Sequence, residues 1–166
     1  MDVFSPAQCV GYVAFVVGIW AFLQRSDRRL KVLNASECLI YTVHFALLGN
    51  LPASASTMVS GVRSLLALRT RSPMVALSML IIGIALGVHL AKDILGWFPI
   101  IASCIATVAV FLMRGVPMRL FLLCSTLLWL VNNIVSGSIG GTLLEITIAV
   151  VNISTILRMK REARIA

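Results

Sequence analysis

"WLVNNIVSGSIGG", residues 129–141, sets two adjacent asparagines inside a long apolar run. Trp129, Asn132 and Asn133 stand at i, i+3 and i+4, so a helix brings them onto one face. That face cannot look at lipid, because hydrocarbon leaves the amide groups without partners. It must look inward, either into a polar cavity or at a neighbouring helix that hydrogen-bonds it. The stretch therefore predicts a helical bundle in a membrane with a polar interior, and its "SGSIGG" end predicts a tight, uncharged turn. That turn lacks the lysine and the strand context of a phosphate loop.

The remainder of the chain fits this environment. Of its 166 residues 60% are hydrophobic and only 12% charged, and the mean hydropathy is +1.02; soluble domains carry about 25% charged residues. Seven apolar segments follow one another: 7–23, 33–49, 53–68, 74–91, 97–113, 120–136 and 141–157. At about 17 residues and about 1.5 Å per residue, each just crosses a hydrocarbon core of ~27–30 Å. The first segment reads as a span and not as a removable signal, because nothing basic precedes it and a basic loop follows. The third, rich in small and hydroxyl residues and holding Arg63, must face protein. The expected fold class is an all-α polytopic membrane protein whose first partner is the lipid bilayer; self-association is left open.

Charge decides the topology. Arg25, Arg28, Arg29 and Lys31 follow segment one, Arg69 and Arg71 segment three, Arg114 and Arg119 segment five, and Arg158, Lys160, Arg161 and Arg164 segment seven. Basic residues thus collect on one side, which predicts an extracytoplasmic N-terminus and a cytoplasmic C-terminus, with Ser26 inside and Gly137 outside. The net charge of +8 is accounted for by these loops, so no nucleic-acid partner is expected. Cys9, Cys38, Cys104 and Cys124 show no ligand spacing, so neither disulfides nor a metal is expected, and no cofactor.

The chain also resembles itself at a shift of 88 to 89 positions: "LQRSDRRLK" lies on "LMRGVPMR", "YTVHFALLGN" on "WLVNNIVSGS", and "RSLLALRTR" on "NISTILRMK". Tyr41 meets Trp129, His44 meets Asn132, Phe45 meets Asn133, Gly49 meets Gly137 and Arg63 meets Asn152. A second three-span unit keeps the first one's orientation only if one more span intervenes. Residues 1–71 and 94–166 are therefore expected as triple-helix units, with residues 72–93 as the linker helix.

This three-plus-one-plus-three pattern resembles the SWEET/MtN3-like transporter architecture, built on parallel repeats. The whole chain, with "GYVAFVVGIWAFLQRSDRRLK", "HFALLGN" and repeated basic ends, is similar to the bacterial inner membrane proteins of the YgjV family, placed with that superfamily. The resemblance implies that residues of the second and third helices of each unit line a central pocket: His44 or Phe45 and Arg63 in the first, Asn133 and Asn152 in the second. It implies transport by alternating access. The sequence departs from the pattern in having no Pro-Gln pair, in placing Pro6, Pro52, Pro73, Pro99 and Pro117 at segment ends, and in carrying Arg63 where the family has asparagine.

The expected binding set is Tyr41, His44, Phe45, Arg63, Trp129, Asn132, Asn133 and Asn152, facing a small polar or anionic solute. His44 is either a proton relay or a neutral ring bonded to backbone. Glu37 and Arg63 reach equal depth from the basic side, each about 9 Å inward, so the expectation is an ion pair or inner gate. Glu145 is expected near the outer surface, pairing superficially with Lys92 or His89, or else as a coupling carboxylate. The competing class is a non-transporting assembly or regulatory partner protein. An enzyme is not expected, since no HExxH, GxSxG or paired-aspartate pattern occurs.

Overall fold

The computed structural model describes residues 3–22, 27–70, 72–113 and 115–165; Arg25, Ser26, Arg71 and Arg114 lie outside them. The described residues form helices α1 (Pro6–Phe22), α2 (Asp27–Leu47), α3 (Leu51–Leu66), α4 (Pro73–Leu90), α5 (Trp97–Leu112), α6 (Gly115–Val135) and α7 (Ile139–Ile165). There is no strand among them, and the chain is an all-α membrane protein. The helices α4, α6 and residues 139–161 of α7 are long and apolar enough to cross a membrane, and α1 and α5 are apolar but shorter.

All five prolines stand at or near helix starts, where the missing N–H has no partner to lose. Three helices exceed the apolar segments that announce them. α2 begins before residue 33, α6 before residue 120, and α7 runs past residue 157. In each case the added turns carry basic residues, which are good helix formers and whose long stems reach from apolar surroundings to water.

The helices close into a ring in the order α1, α2, α3, α5, α6, α7, with α7 returning to α1, and α4 packs outside against α3 and α5. The pairings of the six ring helices are unchanged when α1, α2 and α3 are exchanged with α5, α6 and α7; α4, which packs on α3 and α5 alone, stands outside that relation. The two turns that follow α2 and α6 also match bond for bond. Gly49 and Gly137 take φ of +74° and +67°. Asn50 N donates to Phe45 O and Gly49 N to Ala46 O, as Ser138 N donates to Asn133 O and Gly137 N to Ile134 O. Both helices end on a left-handed glycine, which satisfies their last carbonyls.

Small residues let the ring close tightly. Ala7, Gly11, Ala14, Gly18 and Ala21 form one buried stripe of α1 that receives His44 and Glu37 from α2 and Leu144 from α7. A Cβ on Gly140 of α7 would come within 2.5 Å of the Gly11 carbonyl oxygen. On α4 only Ala76, Gly83 and Gly87 are buried, one seam against Trp97, Ile100 and Cys104 of α5.

The buried residues include nearly as many polar or charged as apolar side chains, whereas Val13, Val16, Leu39, Val43, Ile81 and Val150 are exposed. An apolar exterior around a polar interior is the distribution that a hydrocarbon solvent selects.

Candidate functional site: a central cavity with two carboxylates

The ring encloses a cavity of about 460 Å³ lined from α2, α3, α5, α6 and α7, within the range of about 300–1,000 Å³ usual for small-molecule sites. One α2 face supplies Glu37, Tyr41 and Phe45 at successive i+4 steps; α6 supplies Thr126, Trp129 and Asn133, and α7 Gly141, Glu145 and Asn152. The cavity reaches from Phe45, Trp129 and Asn133 toward the uncharged turns to Lys31 and Arg119 at the basic end.

Aromatic rings shape the first of these ends. Phe45 of α2 stacks on Trp129 of α6, with centroids 5.9 Å apart, and on Tyr41 at 5.8 Å. Tyr41 Oη and Asn133 Oδ1 are buried and find no protein partner. A buried polar atom without a partner costs on the order of 1–3 kcal/mol, so both are available to a ligand.

At the basic end the polar groups are tied to protein. Lys31 Nζ donates to Ala67 O at 2.6 Å, and Asn34 Nδ2 donates to Ser64 Oγ at 2.8 Å. Asn152 Nδ2 donates to Arg119 O at 3.0 Å, while the Arg119 guanidinium donates to Asn152 Oδ1 at 3.5 Å.

Arg63 does not pair with Glu37. Its guanidinium donates to Ser103 O at 2.9 Å and to Thr107 Oγ1 at 3.0 Å, both on α5, and no ion pair to Glu37 forms. Equal depth does not fix direction. Arg63 turns toward α5, whereas the Glu37 carboxyl carbon lies on the α1 side, 3.2 Å from where a Cβ on Gly18 would sit.

Two more expected ligand groups face elsewhere. His44 is fully buried, with Nδ1 bonded to Ala7 O at 2.7 Å and Nε2 to Ser138 Oγ at 2.7 Å. Asn132 lines a second cavity of about 320 Å³ at the end away from the basic loops, where Lys92 stands beside Asp93, and accepts from Asn50 Nδ2 at 3.0 Å. Tyr41, Phe45, Arg63, Trp129, Asn133 and Asn152 do line the central cavity.

Glu145 corrects the superficial pairing expected for it. It lines the central cavity together with Glu37 and Thr126, while Lys92 lines the second cavity. The reason is register: Gly141, Glu145, Ile148 and Asn152 recur at i, i+4, i+7 and i+11, one face of α7, and that face is the inner one. The same periodicity is visible in the sequence.

Among known proteins, the inner membrane protein YgjV of Escherichia coli strain K12 is 35% identical over 161 residues, covering 97% of this chain and 88% of that one. No solved structure matches the chain. The family model Imp-YgjV, described as a bacterial inner membrane protein, matches residues 5–163. The chain belongs to this family of bacterial inner membrane proteins.

Proposed function

We propose that the chain is a small-solute carrier of the bacterial inner membrane that works by SWEET-like alternating access. The observation that carries this reading is the closed six-helix ring around one cavity whose wall holds Tyr41 Oη and Asn133 Oδ1 without protein partners. The exchange-invariant pairing of the six ring helices and the paired turns at Gly49 and Gly137 support two like-oriented triple-helix units, residues 1–71 and 94–166, joined by α4. Rocking one unit on the other then alternates the side from which the cavity is reached. Basic residues gathered at one end support a periplasmic N-terminus and a cytoplasmic C-terminus. In that frame the cavity reaches the cytoplasmic end, and the periplasmic end is held shut by the bonds at His44 and Asn132.

The competing reading is a non-transporting assembly or regulatory partner. It calls for polar faces along an outer groove, and the outer faces here are apolar. No catalytic role is proposed.

The test is uptake into proteoliposomes containing the purified protein, screened over sugars, amino acids, organic acids and amines, with thermal shift of the detergent-solubilised protein as the binding readout. Saturable uptake of one class supports the carrier. Absence of uptake for every class, with stable protein in the vesicles, removes it.

A further inference from the structure

The carboxylates decide what kind of solute the cavity favours. Glu37 is 8% exposed, lines the cavity and makes no hydrogen bond or ion pair with a described residue. Glu145 lines the same cavity from α7, as Thr126 does from α6. The basic groups are placed differently: Arg63 lies on the α3–α5 wall, bonded to α5 through Nη1, and Lys31 and Arg119 are bonded at the basic end. Two acceptors without protein partners, Tyr41 Oη and Asn133 Oδ1, add to the carboxylates on the cavity wall.

We infer that the cavity binds a small organic cation carrying an ammonium or guanidinium group, held by Glu37 and Glu145 and capped by the Tyr41, Phe45 and Trp129 rings. Charge-assisted donation to carboxylates is roughly twice as strong as neutral hydrogen bonding, and an aromatic face attracts a cation within about 6 Å of its centroid. An anion in the same place would face two carboxylates across a low-dielectric gap, where repulsion is poorly screened. A neutral polyol would leave both carboxylates without counter-charge. The sequence suggested a polar or anionic solute because of Arg63; the structure puts that guanidinium on the α3–α5 wall, bonded to Ser103 and Thr107 through Nη1, and the two carboxylates on the α2 and α7 walls.

This names the ligand of the proposed carrier and rests on that reading for transport, but not for binding. The experiment is isothermal titration calorimetry on the detergent-solubilised full chain with ethanolamine, agmatine and choline as organic cations. Sodium and potassium chloride, succinate and glucose serve as inorganic, anionic and neutral comparisons. At least one organic cation should bind saturably, and Glu37→Gln and Glu145→Gln should each weaken it about ten-fold or more at unchanged elution volume. Glu145→Asp, which keeps the charge, should retain part of the affinity. Binding confined to succinate, glucose or the inorganic salts, or organic-cation affinity untouched by both Gln variants, overturns the inference. So does failure of all three organic cations to bind the wild type, a result that does not depend on how the variants fold. Cation binding without vesicle uptake would sink the carrier alone; uptake of a neutral or anionic solute would sink the cation site alone.

Discussion

His44 and Asn132 stand on equivalent turns of α2 and α6, and each is bonded by the residue that caps the following helix of the opposite half. Ser138 Oγ meets His44 Nε2 at 2.7 Å while also accepting from Gly141 N; Asn50 Nδ2 donates to Asn132 Oδ1 at 3.0 Å while its Oδ1 accepts from Ala53 N. One side chain thus starts a helix and ties it to a helix distant in sequence, Ser138 to α2 and Asn50 to α6. These bonds satisfy both ring nitrogens of His44 and the Asn132 Oδ1 without a ligand, and leave Asn132 Nδ2 buried with no partner.

Because each cap does two jobs, Asn50→Ala and Ser138→Ala should cost more than an ordinary cap, together with a cross-half hydrogen bond roughly 1–3 kcal/mol each. For a chain of this size that lowers Tm by about 2–4 °C per kcal/mol. Thermal unfolding in detergent checks it. An unchanged Tm in both variants would show that the bonds at His44 and Asn132 hold nothing.

Close approach of α1 and α7 depends on the absence of a side chain at Gly140. A methyl there would lie 2.5 Å from the Gly11 carbonyl oxygen, and one at Gly11 would lie 2.7 Å from the His44 ring. Neither neighbour can yield cheaply, since one is backbone and the other is bonded through both ring nitrogens. Gly140→Ala and Gly11→Ala should each destabilise by about 1–3 kcal/mol, whereas Gly49, with open space around its Cβ position, would suffer only from its positive φ. Membrane abundance and Tm of Gly140→Ala matching the wild type would remove the tight α1–α7 contact.

The partner of Arg63 is open to a double-mutant cycle. With the guanidinium donated to Thr107 Oγ1 and Ser103 O, Arg63→Gln and Thr107→Val should be coupled by about 0.5–2 kcal/mol in stability. Arg63→Gln and Glu37→Gln should be additive within about 0.5 kcal/mol. Strong coupling of the second pair, measured by thermal unfolding, would restore the ion pair that the geometry denies.

How much of this was legible in the sequence differs from residue to residue. The inward face of α6 was, because helical spacing and the cost of an amide in hydrocarbon leave Trp129 and Asn133 no other direction. The same spacing could not separate Asn133 from Asn132, since it fixes a face and not what that face meets; Asn132 meets the Asn50 cap. Counting inward from flanking basic residues gave depth but no direction around the helix axis, so it placed Arg63 and Glu37 together when they turn to opposite sides. It also sent Glu145 to the surface. The inner face of α7 runs through Gly141, Glu145 and Asn152, a pattern readable only once those three are taken together.

Orientation can be checked by labelling. Ile94, 77% exposed, lies in the loop after α4, whose Lys92 and Asp93 cancel in charge, and Lys160 is exposed at the basic end of α7. In spheroplasts, with native cysteines replaced, Ile94→Cys should react with a membrane-impermeant maleimide and Lys160→Cys only after the membrane is opened. The reverse pattern would invert the proposed topology.

Asn133 and Asn152 occupy the cavity wall on different terms, so leucine should separate them. Asn133 Oδ1 has no protein partner; removing it leaves no orphan behind and exchanges a costly buried amide for an apolar side chain. Asn133→Leu should therefore keep or slightly raise Tm while abolishing stabilisation by any ligand that uses this wall. Asn152 instead bonds both the carbonyl and the guanidinium of Arg119. Asn152→Leu strands those groups and should lower Tm in the absence of ligand, by about 1–3 kcal/mol in stability. Paired thermal-shift curves with and without an excess of the bound solute read both effects. Were Asn133→Leu to lose stability as Asn152→Leu does while still responding to ligand, Asn133 would be interhelical glue, and the cavity wall would lose its one amide free for a solute.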